Sequence, residues 1–305
     1  ALYHLEGERA EPVFAPAMEF PMETIVETPA AHEFACRPSY VVADDGVTGI
    51  NTPRLLPLES GLRSAGYHVH LGCGQLSNSF TARQPEAPLA RLSRLLHEPS
   101  RHPELAQMCD LVSALPALLL PRDPLEAVRR DVIGYGRASE FRSPKYGFEY
   151  RALSSSMLRS PVWSWWAHSS VRDALALVVA GVDFRDKFDR AEVSHAINTA
   201  DFAAAEKLWT KVKGLLATEV WPMARGHRAR GGSSVVLNPK GVQYMEFQMK
   251  HGLGRTRGHK AEWLNQNSSA YHRDWRNYSC RSVPRRQGWD EFKATWTPEK
   301  NCVEA

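Results

Sequence analysis

Two short segments carry ionisable side chains at a spacing that could support chemistry. They read AGYHVHLG (65–72) and SPKYGFEYRALSSS (143–156). Both are typical of strands, and side chains alternate between the two faces of a strand, so His68 shares a face with His70 and Glu149 shares a face with Arg151. Ionisable groups on a buried strand face need a partner, a metal ion or a charged ligand to offset the loss of hydration. The two segments therefore predict a polar site.

A structural interpretation stays open for each pair. The two histidines, His68 and His70, could be satisfied by hydrogen bonds inside the fold. Glu149 and Arg151 could form an internal salt bridge that ties neighbouring strands together. Each pair therefore has one functional and one structural interpretation.

Three further basic residues lie next to these segments. Arg142 and Lys145 lie just before the second predicted strand, in a predicted turn, and Arg63 lies just before the first. Positive charge at the mouth of a site suits a phosphate, but it is also common on any surface loop. The basic loop RGHRARGGSS (225–234) has the same two interpretations, a mobile phosphate-closing flap or an ordinary exposed loop.

Hydrophobic periodicity predicts the helices that position these strands. Apolar residues recur at helical spacing in 87–96, in 110–120, from Ser160 or Ser164 to about Val182, and from Asp201 to about Leu216. Pro116 is expected to end or kink the second of these stretches. Asp201 can cap the fourth by accepting from exposed backbone amides. Trp163 and Trp166 of the third are expected in the core.

The composition is that of an ordinary globular protein. Of the 305 residues, 43% are hydrophobic and 24% are charged. The longest apolar runs have about ten residues, against roughly twenty for a bilayer span, and the first residues lack the basic-then-apolar pattern of a signal. The five cysteines form no CxxC pair, which argues against a zinc site or a disulfide framework. We therefore expect a soluble protein of a reducing cytosol with no membrane contact.

The charge distribution divides the chain near residue 220. Residues 221–290 contain thirteen Lys or Arg and four Asp or Glu, an excess of nine positive charges. Such a surface could bind a polyanion or a protein partner, or it could be a solvated basic face or tail. We expect residues 221–305 to pack on the domain formed by residues 1–220.

Four segments together carry a family resemblance. They are EFACRPSY (33–40), RSAGYHVHLG (63–72), CDLVSALPALLLPRD (109–123) and RRDVIGYGRASEFRSPKYGFEYRALSS (129–155). In this order they resemble the phage-type carboxylate-amine ligases, the COOH-NH2 ligase type 2 amidoligases of the glutamine synthetase and glutamate-cysteine ligase superfamily. The last segment is the most specific, because YG, FR, KYG and EYR occur in register. The resemblance spans roughly residues 27–185.

This resemblance implies an α+β fold. Its curved antiparallel sheet has helices on the outer face and the site on the concave side, as in the catalytic domain of glutamine synthetase. Strands separated by helices would also suit a parallel α/β sheet, but the sequence contains no GxGxxG or Walker motif for its phosphate-binding turn.

The resemblance also implies a reaction. ATP converts a carboxylate into an acyl phosphate, and an amine then displaces phosphate to form the amide bond. Both steps move negative charge, so the site needs Mg²⁺ on the phosphates and arginines on the transferred group.

The resemblance further implies roles for individual residues. Glu149 is expected to bind magnesium, and His70 is expected near both the metal and the nucleotide. Arg151 is expected to clamp a phosphate or a substrate carboxylate through two parallel hydrogen bonds. The remaining expected roles are catalysis for Arg142 and ATP binding for His68, Arg63 and Lys145.

One departure from the family concerns the acidic N-terminal strands. Family members carry paired acidic residues there, before the segment that matches EFACRPSY, whereas this chain reaches that segment within its first forty residues. We therefore expect abbreviated N-terminal strands, with Glu6 and Glu8, or Glu19 alone, as the remaining carboxylates. Smaller departures are Arg37 and Ser39 at positions that are often acidic, and Ser139 at a position that is glycine.

Two functions follow. The first is an active ATP-dependent ligase that joins a small-molecule or peptide carboxylate to an amine. The alternative is a catalytically degenerate protein with the ligase fold, serving as a structural or binding component of a phage particle or a larger assembly. The expected location is the cytoplasm, which means the host cytoplasm or the virion if the protein is encoded by a phage. An oligomer fits either function.

Overall fold

The structure, a computed structural model, describes most of the chain before residue 252. The described residues are 2–6, 9–13, 15–32, 39–52, 54, 58–73, 83, 86–159, 161–224 and 237–251. The predictions for Glu8, Arg37, the basic loop 225–234 and the basic residues beyond 251 therefore lie outside the described residues.

An antiparallel sheet of five strands forms the centre of the described part. The strands in chain order are β1 (Leu2–Glu6), β2 (Arg9–Val13), β3 (Ala17–Glu19), β4 (Ser39–Val42), β5 (Thr48–Asn51), β6 (Leu62–Ser64), β7 (Gly66–Gly72), β8 (Phe141–Arg142) and β9 (Gly147–Ser154). The central sheet has the order β5-β4-β8-β9-β7, and every neighbouring pair in it is antiparallel. β1 pairs with β2 and β3 pairs with β6 in two small sheets. The α+β class is thus confirmed, and a parallel α/β sheet is excluded for the described strands.

Several of the described helices pack against this sheet. The described helices are α1 (Met22–Glu27), α2 (Pro88–His97), α3 (His102–Cys109), α4 (Leu115–Leu119), α5 (Leu125–Ala127), α6 (Pro161–Val179), α7 (Arg190–Asn198), α8 (Phe202–Leu215), α9 (Trp221–Ala224) and α10 (Pro239–His251). All four helical stretches predicted from periodicity are present. Asp201 caps α8 as expected, accepting from the amides of Ala203 at 3.1 Å and Ala204 at 3.0 Å. None of the described helices has both the length and the apolar composition to cross a bilayer.

The second predicted helical stretch is interrupted near Pro116. A wider π-helical turn covers Asp110–Ala114, in which the amide of Leu115 donates to the carbonyl of Asp110, and α4 then begins. Proline has no amide hydrogen, and its ring crowds the turn before it. The wide turn relieves that crowding, so the chain continues as a helix with an altered turn.

The strand β9 is buried on both faces. Phe148, Tyr150 and Ala152 point toward the helices and belong to the main hydrophobic core. Trp163 and Trp166 of α6 are buried in the same core, as expected. Glu149 and Arg151 alternate with these apolar residues and occupy the opposite, polar face of the sheet. The helices therefore cover one face while the ionisable groups are gathered on the other.

The described part of the C-terminal region packs on this same core. Val242, Tyr244 and Met245 of α10 are buried in it, and the indole nitrogen of Trp163 donates to Gln248 at 3.4 Å. Residues 237–251 are therefore continuous with the main core.

Ser139, which lies where the ligases that the sequence resembles have glycine, has a left-handed backbone with φ of 54°. Glycine adopts this conformation without strain, which explains why glycine suits the position. The strained residue is held by Asp110, which accepts from the Ser139 amide at 3.0 Å and from its hydroxyl at 2.5 Å. Asp110 also accepts from the Tyr150 hydroxyl at 2.6 Å.

Candidate functional site

The two polar segments found in the sequence lie on adjacent strands. In the antiparallel pairing of β7 with β9, His70 is directly opposite Glu149. One nitrogen or oxygen from each of His68, His70 and Glu149 lies within 4.8 Å of the others. The contacts confirm that the paired residues of each strand share a face, as strand alternation predicts.

A register shift adjusts the site locally. The pairing passes from Tyr67 with Leu153 to Val69 with Tyr150, so that two residues of β9, Arg151 and Ala152, lie opposite His68 alone. Bulges of this kind redirect side chains in a sheet. Here the bulge places the Arg151 guanidinium beside both Glu149 and His68.

Glu149 is a buried, ionised carboxylate. Its Oε1 atom contacts Arg151 Nη1, lies 3.1 Å from His68 Nδ1 and lies 3.9 Å from Arg142 Nη1. Burial raises the pKa of Glu149, but the hydrogen bond from His68 and the charge of Arg151 outweigh it, and the pKa falls to about 2. The carboxylate therefore carries its negative charge at any pH near neutrality.

His68 lies between Glu149 and a tyrosine. Its Nε2 atom is 2.6 Å from the hydroxyl of Tyr135, on the opposite side of the ring from Glu149. Burial lowers the pKa of His68, Glu149 acts in the opposite direction, and the charge of Arg151 lowers it further. The net direction is downward, which favours the neutral imidazole.

His70 is the exposed member of the cluster. Its Nδ1 atom lies 2.6 Å from the hydroxyl of Tyr146, a residue that is itself half exposed in the turn between β8 and β9. This hydrogen bond fixes the orientation of the ring and leaves Nε2 as the nitrogen outside it. His70 is thus the imidazole that a ligand from solvent can reach.

Arg151 is fully buried between two carboxylates. Its Nε donates to Glu140 Oε1 at 3.2 Å and its Nη1 contacts Glu149. Both Arg151 and Glu140 have side chains with no solvent exposure. The structure therefore places Arg151 in an internal ion pair, as the structural interpretation of Glu149 and Arg151 proposed.

Glu140 was not identified from the sequence, yet it has the richest set of donors near the site. Its oxygens accept from Arg151 and also from Ser39 Oγ at 2.7 Å, Asn51 Nδ2 at 3.1 Å, Gly136 N at 2.6 Å and Arg137 N at 3.0 Å. These donors come from β4, β5 and the loop before β8. A signal was present, because Glu140 lies two residues before Arg142 and so shares its face of the strand.

The other predicted site residues are spread over the structure. Arg142 is partly exposed beside Glu149, and Lys145 is exposed in the adjoining turn. Arg63 is in β6, where its guanidinium donates to the carbonyls of Ser60, Leu62 and Ala31. The structure thus groups Arg142 with the His68, His70 and Glu149 cluster and gives Arg63 partners in the backbone.

Searches against protein-family models, curated proteins and solved structures returned no match to this chain. The resemblance to the carboxylate-amine ligases therefore stays a prediction, based on the residues quoted above.

The cluster offers two imidazoles and one carboxylate to a cation. Within the described residues, it is the one group of three or more potential metal ligands. Magnesium is commonly bound by one or two carboxylates together with substrate phosphates, and Glu149 fits that pattern as a single carboxylate. The imidazoles add little for magnesium, which prefers oxygen ligands.

Proposed function

We propose that this chain is an ATP-dependent carboxylate-amine ligase, with its site on the polar face of the sheet around Glu149. The observation that supports this best is the cross-strand pair of exposed His70 and ionised Glu149. These residues come from two separate segments of the resemblance, and their convergence is what a ligase of this superfamily requires. The antiparallel sheet with helices on one face is also the architecture expected for it.

The site residues divide by exposure into two groups. His70, Arg142 and Tyr146 are at least partly exposed and can contact nucleotide and substrate. Arg142 can neutralise a transferred phosphoryl group, and Lys145 in the same turn can add positive charge at the entrance. The carboxylate oxygen of the substrate would attack the γ-phosphorus as ADP leaves, and the amine nitrogen would then displace phosphate and lose a proton.

Magnesium, where bound, would neutralise charge on the phosphates. Glu149 would hold it, with His70 beside it. Because only one carboxylate of the described residues is present in the cluster, most of the remaining ligand oxygens would come from the phosphates and water. This makes cation binding dependent on nucleotide.

Arg151 takes a different part from the clamp expected from sequence. Its guanidinium is buried and already contacts Glu140 and Glu149. We propose that it positions Glu149 and leaves direct substrate contact to Arg142. His68, partly buried beside it, belongs with Arg151 in this group.

The buried ion pair of Glu149 with Arg151 also favours a second function, that of a binding component without catalysis. The charge of Glu149 is already balanced by Arg151, with Arg142 nearby, which weakens its attraction for a cation. A protein with the ligase fold that binds a partner without catalysis would keep this internal ion pair for stability alone. In that case the site binds no nucleotide.

Calorimetric titration with a non-hydrolysable ATP analogue distinguishes the two functions. For the ligase we expect micromolar binding that requires Mg²⁺ and weakens at least tenfold in Glu149→Gln, because a charge-assisted contact contributes about 1.5–3 kcal/mol. Glu192→Gln, which removes a carboxylate from α7, is the matched control and should bind as the wild type does. Absence of binding at millimolar analogue would overturn the ligase proposal and favour the binding component.

A further inference from the structure

Four side chains in the polar site form a closed ring of hydrogen bonds. Arg151 Nη1 contacts Glu149 Oε1, and Glu149 Oε1 lies 3.1 Å from His68 Nδ1. His68 Nε2 lies 2.6 Å from the hydroxyl oxygen of Tyr135, and that oxygen lies 3.4 Å from Arg151 Nη2. The ring therefore returns to the residue from which it started.

The chemistry of the carboxylate and the guanidinium limits the directions that the hydrogen bonds in the ring can take. A carboxylate only accepts and a guanidinium only donates. His68 Nδ1 lies 3.1 Å from Glu149 Oε1 and 3.3 Å from Arg151 Nη1. With its hydrogen on Nδ1, His68 donates to the nearer carboxylate oxygen, and its Nε2 accepts from the Tyr135 hydroxyl. The Tyr135 oxygen then accepts from Arg151. This neutral tautomer pairs all four groups, whereas a hydrogen on Nε2 would leave the Nδ1 lone pair facing the Glu149 carboxylate oxygen at 3.1 Å.

Neighbouring residues hold Tyr135 in this cycle of hydrogen bonds. Its aromatic ring lies under the guanidinium groups of Arg129 and Arg151, whose central carbons are 5.0 Å and 5.4 Å from the ring centre. β7 also passes tightly over the Tyr135–His68 hydrogen bond at Gly66. A Cβ atom at Gly66 would lie 2.7 Å from His68 Nε2 and 2.8 Å from the Tyr135 hydroxyl. A side chain at this position would therefore have to push His68 and Tyr135 apart.

We propose that Tyr135 is a positioning residue for the site, which holds His68 in the Nδ1–H tautomer and through it orients Glu149. His68 then has no lone pair free for a ligand, because Nε2 accepts from Tyr135 and Nδ1 carries the hydrogen. The ligand-binding groups of the site are left as His70 and the carboxylate of Glu149. The consequence for nucleotide binding rests on the proposed function, whereas the tautomer of His68 does not.

The tautomer can be read directly from the ¹⁵N chemical shifts and long-range ¹H–¹⁵N couplings of the imidazoles in the full-length chain. The His68 signals are assigned by their loss in His68→Gln. We expect the wild type to show a protonated Nδ1 and an unprotonated Nε2. A His68 protonated on Nε2 in the wild type would overturn the proposal.

Two variants test the part played by Tyr135. Tyr135→Phe keeps the aromatic ring but removes the hydroxyl, and we expect the His68 signals to move toward a mixture of tautomers. Gly66→Ala should do the same by forcing Tyr135 and His68 apart. Tyr146→Phe is the matched control, because it removes a hydroxyl from His70 and should leave His68 unchanged. Unchanged His68 signals in Tyr135→Phe would show that the hydroxyl does not hold the tautomer.

The same variants separate this inference from the proposed function. If the wild type binds the ATP analogue, Tyr135→Phe should weaken it several-fold, since one neutral hydrogen bond contributes about 1 kcal/mol. Equal affinity of the wild type and Tyr135→Phe for the ATP analogue would overturn the proposal that Tyr135 orients Glu149 through His68. If the wild type binds no analogue but the tautomer responds to Tyr135→Phe, the ligase proposal fails and the positioning of His68 stands.

Discussion

Arg151 donates through Nε to Glu140 at 3.2 Å, and neither side chain has any exposure to solvent. The pair joins β9 to the loop before β8. Arg151 also contacts Glu149, so the pair helps to position this site residue. A buried ion pair is costly to break from one side, since the remaining charge keeps its desolvation penalty without a partner. Stability and site geometry are therefore coupled through Arg151.

Removal of one partner from this pair should destabilise the whole protein. We expect Glu140→Gln and Arg151→Met each to lower the free energy of unfolding by about 3–5 kcal/mol. Urea denaturation followed by circular dichroism measures this. The surface pair of Arg122 with Glu206, 2.9 Å apart, is the matched control, and Arg122→Gln should cost less than about 1 kcal/mol. A similar loss in the free energy of unfolding for the buried and the surface pair would contradict the expectation that burial makes the loss larger.

Three glycines offer a graded test of local packing. Gly136 has φ of 71°, and a Cβ atom there would overlap the guanidinium of Arg129, which holds the carbonyls of β9 around the bulge. Gly136→Ala should therefore destabilise by more than about 2 kcal/mol, from backbone strain and overpacking together. The measurement is the unfolding free energy in urea.

The controls for this test separate strain from packing. Gly181 has φ of 80° but open space at the Cβ position, so Gly181→Ala should show the cost of backbone strain alone. Gly214 lies within α8 with open space and no unusual φ, so Gly214→Ala should stabilise by about 0.5–1 kcal/mol. An equal loss at Gly136 and Gly181 would show that the Arg129 contact has no effect.

Asp110 should make stability depend on pH. Burial raises its pKa from 3.8 to about 6, although hydrogen bonds from Ser139 and Tyr150 oppose the shift. Between pH 4 and pH 6 the folded chain therefore keeps a proton on Asp110 that the unfolded chain has already released. The contribution of this proton to the free energy of unfolding is fully present below pH 4 and is lost as the pH rises through 6.

The variant Asp110→Asn removes this titration. The stability of the wild type relative to Asp110→Asn should therefore fall between pH 4 and pH 6, by on the order of 3 kcal/mol at most. Urea denaturation at a series of pH values measures the difference. Asp183→Asn is the control, because hydrogen bonds from Arg185 lower the pKa of Asp183. The contribution of Asp183 to the free energy of unfolding should therefore be constant above pH 5. A relative stability independent of pH for Asp110→Asn would contradict the raised pKa.

His70 should matter for binding and little for folding, because it is exposed. If the chain binds nucleotide, His70→Ala should lower the affinity for the magnesium-bound ATP analogue about tenfold while the melting temperature changes by only a few degrees. His195→Ala, at an exposed position in α7, is the matched control and should change neither quantity. A large loss of stability without loss of affinity would assign His70 a structural role.

Local sequence patterns determined the elements and the shared faces. Helical periodicity located α2, α6 and α8 to within a few residues, and the cap at Asp201 was readable because the capping bond is made within one turn. The alternation of polar and apolar residues also showed that His68 with His70, and Glu149 with Arg151, would share a face. These features depend on neighbours that are close in the chain.

The tertiary structure alone decided which of these residues meet and what they do there. Tyr135 and the bulge opposite His68 have no local signature of function, and Glu140 was marked only by sharing a face with Arg142, without any sign of its partners. Tyr135 is 67 residues from His68 in the sequence and meets it only in the folded chain. Strand order and register are set by the energy of the whole sheet and its core, which no short segment contains. For the same reason Arg151, expected from sequence to face a ligand, is an internal partner of Glu140 and Glu149.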